Sequence, residues 1–363
     1  MTSRSRAVAI VAVLLLATGS ISAQQTSVAW DQILRQPAAW YGTAEAERVA
    51  ENVLAYQRHT GGWPKNLDMA APMAAADRAQ LTTDRALDDS TIDNGATVTQ
   101  LRLLARVVTA KPNPRFATAF RAGLDYLLAA QYANGGWPQY FPLRADYSRH
   151  ITFNDDAMMN VMTLLRDVST GAASMAFVDQ ARRTRAADAV QRGIAIVLRT
   201  QIRVNGRLTG WCQQHDADTL VPVKARAYEH PSIASKETVT IVRFLMGIDR
   251  PTDEVVGAID GAVEWLRSAE LHGLRLDRKP DPAGPGGYDM VVVEDPAALP
   301  IWARFYDINT NRPIYSGRDG VIRTRLADIE IERRTGYSWL GPYADALLAT
   351  EYPQWKSKTG RSI

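Results

Sequence analysis

Cysteine is almost absent from this sequence of 363 residues. Cys212 is the only one, so no disulfide can form within the chain, and an exported protein of this kind must be stabilised by packing or bound ions. Cys212 follows Trp211 in a phrase that recurs along the chain. This setting favours a buried small apolar residue over the alternative, a nucleophile.

A strong net charge is also lacking. The sequence has 42 Lys and Arg against 39 Asp and Glu, which gives a formal net charge of +3 at neutral pH. Such a balance produces no strong electrostatic field that would favour nucleic acid or a membrane surface. We therefore expect no nucleic-acid partner, and any basic character that matters must be local.

No long hydrophobic run marks the start of the chain. Arg4 and Arg6 precede an apolar stretch over 7–17, and small residues follow it. A membrane span needs about 20 apolar residues, so this pattern is typical of a secretory signal over 1–23, with an uncleaved anchor as the alternative. We expect a mature chain that begins near Gln24, has a net charge of +1, and is secreted or periplasmic without membrane attachment.

The sequence lacks the pattern of a doubly wound sheet, because no phosphate-binding glycine loop follows a strand and strands do not alternate with helices. Apolar residues instead recur at helical spacing, as at Val98, Leu101 and Leu104. This spacing predicts helices over seven segments: 44–57, 94–110, 115–131, 156–169, 178–201, 235–247 and 253–269.

One phrase occurs twice. The segment 57–64 ends in Gly-Gly-Trp-Pro and so does 131–138, which places Trp63 and Trp137 74 residues apart; a further 74 lead to Trp211. A repeat of this length is one supersecondary unit that must stack on its neighbours to bury a core. The sequence therefore predicts paired helices around a common axis, with equivalent loops emerging at one end, where their polar groups can converge.

The character of the chain changes near Pro280. The proline- and glycine-rich stretch 280–287 cannot be regular structure. Short strands and a final helix are predicted beyond it, over 290–293, 303–308, 314–315, 321–326 and 343–352. We expect a helical catalytic body over 24–279 and a smaller β-containing portion over 280–363, in one compact unit with a cleft between them.

Carboxylates open two of the predicted helices. Asp93 precedes Asn94, and Asp155 lies between Asn154 and Asp156. Asp and Asn are good N-caps, but adjacent oxygen donors from neighbouring loops are also what Ca²⁺ takes. Both interpretations remain open. No His or Cys cluster has zinc spacing, which argues against a site of soft ligands.

Arginines and aromatic residues accompany these carboxylates. Turn-rich segments over 224–232 and 304–320 carry several arginines, which form either weak surface ion pairs or bidentate contacts to carboxylates. Trp63, Trp137 and Tyr140 suit the faces of sugar rings, although tryptophan after Gly-Gly is more often a packing residue. Metal-binding acids, arginines and aromatics together indicate an acidic sugar chain as the ligand.

On these residues the sequence resembles the family 10 pectate lyases. The matching phrases follow the family order and lie at 61–66, 91–97, 135–138, 150–158, 210–216, 225–232 and 304–320. The resemblance implies a mainly α fold, an (α/α)3 toroid of repeated helical hairpins with a smaller β-containing C-terminal portion. It implies a calcium-dependent pectate lyase, a carbon–oxygen lyase that cleaves polygalacturonate by β-elimination to 4,5-unsaturated oligogalacturonates. We expect a monomer.

The resemblance also implies roles for individual residues. Arg226 corresponds to the catalytic base, with a pKa lowered by nearby cations. The remaining roles are calcium binding by Asp93, Asn94 and Asp155, and substrate binding by Arg312, Lys65, Arg304 and Arg318. The segment 233–237 departs from the expected pattern, which puts the contribution of its loop in doubt.

Other functions are compatible with part of this residue set. A glycoside hydrolase or a terpene-type cyclase could use a similar toroid, but the sequence shows no convincing acidic protonating motif for a cyclase. A non-catalytic protein that binds pectin, an acidic polysaccharide, is the alternative from another class. A binder would not need the base Arg226, so retention of that residue beside the acids favours the enzyme.

Overall fold

Helices dominate the described part of the chain. The computed structural model describes residues 28–360, so the predicted signal segment lies outside the described residues. Ten α-helices occur within 28–360: α1 Ala44–Tyr56, α2 Ala75–Asp84, α3 Val98–Ala110, α4 Pro114–Ala129, α5 Ala157–Thr170, α6 Gln180–Thr200, α7 Ser235–Met246, α8 Asp253–Ser268, α9 Ile331–Thr335 and α10 Tyr352–Lys358. None of these helices is long and apolar enough to cross a membrane.

All seven predicted helices are present. Their apolar stripes form the core, and in α3 the side chains of Leu101, Leu104 and Val108 are buried. Helix α2 was not predicted, because Leu81 is its only buried side chain and it therefore lacks an apolar stripe. The predicted mainly α fold is confirmed.

The strands are short, except in one hairpin. They are β1 Ile151–Thr152, β2 Arg203–Val204, β3 Arg207–Leu208, β4 Gln214–His215, β5 Ile233–Ala234, β6 Leu274–Pro280, β7 Tyr288–Glu294, β8 Trp302–Ala303, β9 Phe305–Tyr306, β10 Tyr315–Ser316, β11 Ile322–Arg323 and β12 Leu340–Gly341. They form two-stranded antiparallel sheets, namely β1–β4, β2–β3, β5–β9, β6–β7, β8–β12 and β10–β11.

The long hairpin begins before the predicted change of character at Pro280. Strand β6 starts at Leu274 and pairs with β7 along seven residues, and only the tip over 281–287 is irregular. In β6 only 274–277 alternate apolar and charged residues, and Arg278, Lys279 and Pro280 end this short strand pattern before the proline-rich tip. The start of the β-containing portion therefore lies inside the segment that we assigned to the helical body.

The repeat is visible as the same hydrogen bonds made three times. Glutamines that follow α1, α4 and α6 each donate the side-chain amide to a backbone carbonyl of the next helix in the series α4, α6 and α8. The pairs are Gln57–Ala119 in α4, Gln131–Ala189 in α6 and Gln201–Ala258 in α8, each at 2.9 Å. Each glutamine thereby attaches one repeat to the next.

The three repeated tryptophans are packing residues. Trp63, Trp137 and Trp211 are fully buried. Their indole N–H groups donate to helix carbonyls of Val53, Leu127 and Val197 at 2.7–2.8 Å. The packing interpretation is confirmed for Trp63 and Trp137, and Cys212, also buried, is the expected small core residue.

The repeats stack in two layers. Helices α3, α5 and α7 contact one another in order, and each packs against its partner in the second layer, α4, α6 or α8. Helix α1 contacts both α3 and α4. Closure of these repeats into a toroid stays a prediction. The loops that precede α3, α5 and α7 lie at the same end of the stack, which positions the candidate site.

Candidate active site

Two short 3₁₀ turns carry the predicted carboxylates. They cover Asp93–Gly95 and Asn154–Asp156, and they contact each other. Asn94 adopts the left-handed region in the first turn with φ 51°, and Asp155 and Asp156 do so in the second with φ 47° and 64°. Asn and Asp tolerate this conformation better than most residues. The repeat thus brings equivalent polar turns together from neighbouring loops.

Asp93 does not cap a helix. Its Oδ2 lies 2.5 Å from the Lys65 ammonium, and its Oδ1 is buried without a hydrogen-bond partner. The neighbouring Asn94 donates its side-chain amide to Asn66 Oδ1 at 2.8 Å, which leaves its own carbonyl oxygen available. The capping interpretation is therefore wrong for Asp93.

Asp155 is held by cations from elsewhere in the chain. Its Oδ1 accepts from Lys236 Nζ and from Arg304 Nη2, both at 3.0 Å, and Asn154 donates to its Oδ2 at 3.0 Å. Burial alone raises the pKa of Asp155, but the charges of Arg304 and Lys236 outweigh burial and lower that pKa from 3.8 to about 2. Asp155 is thus an ionised carboxylate, and it caps no helix.

The third repeat supplies Lys236, and the loop before its helix is shorter than the loops of the other two repeats. Arg304 comes from the segment between β8 and β9. Helix α7 starts immediately after the strand that bonds to Trp211, so no 3₁₀ turn intervenes. Its first turn carries Lys236 and Glu237, which reach Asp155 and Arg304. This is the segment that departs from the family pattern. Sequence reasoning missed both residues, and their position in the repeat was the signal that could have identified them.

A buried network lies beneath Asp155. Arg304 Nη2 donates to Glu237 Oε1 at 2.5 Å, and Gln213 Nε2 donates to the same oxygen at 3.0 Å. The side chains of Arg304 and Glu237 are 4% and 0% exposed. Burial alone lowers the pKa of Arg304, but Glu237 and other negative groups reverse this and raise it. Arg304 is therefore fixed as a cation behind the carboxylate.

Arg226 forms a bidentate ion pair with Glu229. Nε and Nη2 lie 2.7 and 2.5 Å from the two carboxylate oxygens, and the guanidinium also packs over the Tyr228 ring. Burial alone lowers the pKa of Arg226, but its bonds and charge interaction with Glu229 outweigh burial and raise it. The contacts of Arg226 therefore raise its pKa, whereas the resemblance implied a pKa lowered by nearby cations.

These side chains line one cleft. Asp155, Arg226, Lys236 and Arg304 border a cavity of about 610 Å³ together with the β6–β7 hairpin and the segment around Tyr337. Glu229 and Glu237, the counter-ions behind the arginines, do not line it. The charged side chains that line the cleft are therefore mostly cationic, with Arg226, Lys236, Arg304 and Arg334 against Asp155, and they can bind a chain of carboxylates.

Two of the predicted arginines lie outside this group. Arg312 is exposed and makes no ion pair or side-chain hydrogen bond within residues 28–360, although its carbonyl accepts from the Asp307 N–H. Arg318 is exposed and paired with Glu332 at 2.9 Å. Within residues 28–360 neither residue lines the cleft or forms an ion pair or side-chain hydrogen bond with Asp155 or Arg226. Their roles in substrate binding stay predictions.

The oxygen donors suit a hard cation in part. Asp93 and Asp155 are carboxylates, Asn94 adds an amide oxygen, and the buried unpartnered Oδ1 of Asp93 matches a missing positive partner. Within the described part of the chain, no three His, Cys, Asp or Glu side chains form a group that could hold a metal. Calcium would therefore need further oxygens, such as those of a bound uronate and water.

Comparisons with known proteins find similar proteins over most of the chain. A family model described as pectic acid lyase matches residues 57–348. A solved family 10 polysaccharide lyase from Cellvibrio cellulosa, an Asp-to-Ala mutant in complex with trigalacturonic acid, is 34% identical, with a TM-score of 0.74 over 90% of this chain and 99% of that one. A second structure of a family 10 lyase from the same organism is 33% identical, with a TM-score of 0.73 over 91% and 95% of the two chains. A comparison with curated proteins gave no significant match.

Proposed function

Because this chain belongs to the pectic acid lyases and is a family 10 polysaccharide lyase, we propose that it is a calcium-dependent pectate lyase. Its substrate is polygalacturonate, and its products are 4,5-unsaturated oligogalacturonates. The related lyase in complex with trigalacturonic acid supports this substrate class. We also propose that the protein acts outside the cytoplasm, as its N-terminal sequence indicates.

One observation carries the proposal. Lys236 and Arg304 contact the carboxylate of Asp155, and Arg226 lines the same cleft. A galacturonate chain carries a carboxylate on every unit, so this excess of cations matches its charge. Arg304 cannot move its charge away, because its side chain is buried against Glu237. Such fixed charges stabilise an anion without reorganising during the reaction.

The reaction removes the C5 proton of a galacturonate unit, which lies α to a carboxylate. The electron pair of the C5–H bond forms the C4=C5 double bond, the C4–O4 bond breaks, and O4 leaves with that bond's electron pair and takes a proton from solvent to become a new hydroxyl. Arg226 collects the C5 proton. It must first lose a guanidinium proton to solvent, and substrate binding favours this by desolvating Arg226. No water attacks, so a pair of hydrolytic carboxylates is not needed.

Asp93, Asn94 and Asp155 would hold the calcium ion. When bound, calcium supplies positive charge at the substrate carboxylate, where negative charge develops as C5 loses its proton. The residues of this chain fix the orientation: Lys236 and Arg304 hold Asp155, and Lys65 holds Asp93. Lys65 also lies 5.7 Å from the centre of the Tyr140 ring, an aromatic surface beside the metal-binding turn that suits a sugar.

A non-catalytic pectin-binding protein is the second candidate. The ion pair between Arg226 and Glu229 favours it, because a guanidinium with a raised pKa is a good anion binder and a poor base. Cleavage of the substrate separates the two functions.

The test is an assay on polygalacturonate that follows the ultraviolet absorbance of the unsaturated product. We expect absorbance to rise with calcium present, to stop with EDTA, and to resume when excess calcium is added. Binding of oligogalacturonate without any rise in absorbance at any calcium concentration would support the binding protein. Cleavage to saturated reducing ends would identify a hydrolase and overturn the lyase proposal.

A further inference from the structure

The β6–β7 hairpin has one face that continues the wall of the cleft. The register pairs Arg278 with Met290 and Leu276 with Val292. Since directly paired residues in an antiparallel ladder share a face and side chains alternate along each strand, these four residues and Tyr288 project from the same side. The opposite side carries residues such as Lys279 and Asp289.

This face borders the candidate active site. Leu276, Tyr288 and Met290 line the same cavity as Arg226 and Arg304. The hairpin is fixed rather than free, because Arg334 forms a bidentate ion pair with Asp289, with Nε and Nη2 at 2.8 and 2.6 Å from its oxygens. The hairpin therefore presents a positioned surface to whatever occupies the cleft.

An arginine without a counter-ion stands on this surface. The Arg278 guanidinium carbon lies 3.7 Å from the centre of the Tyr288 ring. Arg278 is exposed and makes no ion pair within residues 28–360, whereas Arg275 of the same strand is paired with Asp277 and Asp295. Stacking on the ring restricts the guanidinium and leaves its N–H donors available for an anion.

We propose that Tyr288 and Arg278 form a further sugar subsite for a uronate unit remote from the bond that is cleaved. The inference rests on the proposed function and extends it. Arg278 covers one face of the Tyr288 ring, so the other face provides the aromatic surface for the apolar side of the sugar. Arg278 binds the carboxylate of the same unit through two N–H groups. A neutral sugar would satisfy the ring but not the guanidinium, so the subsite selects an unesterified galacturonate.

The test compares short and long substrates. We expect Arg278→Ala to raise KM for hexagalacturonate about tenfold, with kcat unchanged and with trigalacturonate unaffected, because Arg278 does not line the cavity around Asp155. Lys279→Ala is the matched control. It removes the same charge from the same strand on the opposite face, and it should leave both substrates unchanged.

Several outcomes would overturn the subsite. These are an unchanged KM for hexagalacturonate, an equal effect of Lys279→Ala, and an equal loss on both substrates. If the wild-type protein cleaves neither oligomer, the proposed function fails and the subsite is tested by calorimetry instead. Hexagalacturonate should then bind about tenfold more weakly to Arg278→Ala than to Lys279→Ala, and equal affinities would refute the subsite.

Discussion

Arg226 and Glu229 form an ion pair in which both carboxylate oxygens accept from one guanidinium, at 2.7 and 2.5 Å. Glu229 is 3% exposed and also accepts from the Tyr337 hydroxyl at 2.9 Å. A carboxylate fixed in this way orients the guanidinium at the edge of the cleft. It also stabilises the protonated form, so the contact that positions Arg226 opposes its use as a base.

Arg226→Ala should reduce turnover of polygalacturonate by several orders of magnitude, because the proton acceptor is lost. Calcium binding and the fold should be retained, as measured by calorimetry and circular dichroism. Arg207→Ala, which changes an exposed arginine outside the cleft, should have no effect. Near-normal turnover of the Arg226 variant would mean that the base is misassigned.

Glu229→Gln tests the coupling between the two residues. Arg226 accepts a proton only when it is neutral, so the rate rises with pH towards its pKa. Glu229 raises that pKa, and its removal should therefore shift the rising limb of the kcat profile to lower pH. The measurement is kcat against pH for both proteins. A variant that loses activity equally at every pH would assign Glu229 a merely structural role.

The helices were predictable because their apolar residues recur at the spacing of one buried face. Helix α2 was not, since only Leu81 is buried and no periodicity results. The repeated Gly-Gly-Trp-Pro phrase predicted the stacking, because it belongs to the segment that makes hydrogen bonds between successive repeats. The glutamine that precedes each phrase donates a hydrogen bond to a helix of the next repeat, as Gln131 does to the Ala189 carbonyl of α6 at 2.9 Å.

The site was predictable only in its local part. Asp155 stands out in sequence beside other oxygen donors, but its partners Lys236 and Arg304 lie 81 and 149 residues further along the chain. The repeat indicated that the start of α7 lies beside the two acidic turns, but the individual contacts depend on how the repeats stack, and no spacing in the sequence reports these contacts. Glu237 was missed for the same reason, since an acidic residue in the first turn of a helix is ordinarily explained by the helix dipole.

Arg304→Met should destabilise the protein by about 3–5 kcal/mol, because it leaves Glu237 buried without its cation. Urea unfolding of the two proteins measures the difference. The double variant that also carries Glu237→Gln should recover part of the loss, because the uncompensated charge is then gone. A loss below about 1 kcal/mol for the single variant would show that water reaches Glu237 when Arg304 is absent.

His215 should make stability depend on mild acid. The Cys212 N–H donates to its Nε2 at 3.1 Å, and Nδ1 lies 2.9 Å from the Leu220 carbonyl, so the buried ring is held neutral. Burial lowers the pKa of His215 from 6.5 to about 4. The unfolded chain binds a proton below pH 6.5 and the folded chain does not, so stability is complete above pH 6.5 and declines as pH falls to 4.

This decline should reach about 3 kcal/mol by pH 4. It can be measured by urea unfolding at pH 7 and pH 4.5, with Asp155→Asn as the control. The pKa of Asp155 is lowered from 3.8 to about 2, so its stabilising effect is lost only below pH 3.8. The Asp155 variant should therefore keep the same difference between the two pH values. If the wild-type protein were equally stable at pH 7 and pH 4.5, protonation of His215 would not lower the free energy of unfolding.

Asp93→Asn should weaken calcium binding about tenfold in calorimetry with trigalacturonate present, because an amide replaces one of two carboxylates. Folding should change little, since the freed Lys65 ammonium is 29% exposed and can be hydrated. Glu264→Gln removes an exposed carboxylate of α8 and should bind calcium as the wild type does. Unaltered calcium affinity in the Asp93 variant, with activity lost, would assign Asp93 to holding Lys65 against the substrate and would place the metal elsewhere in the cleft.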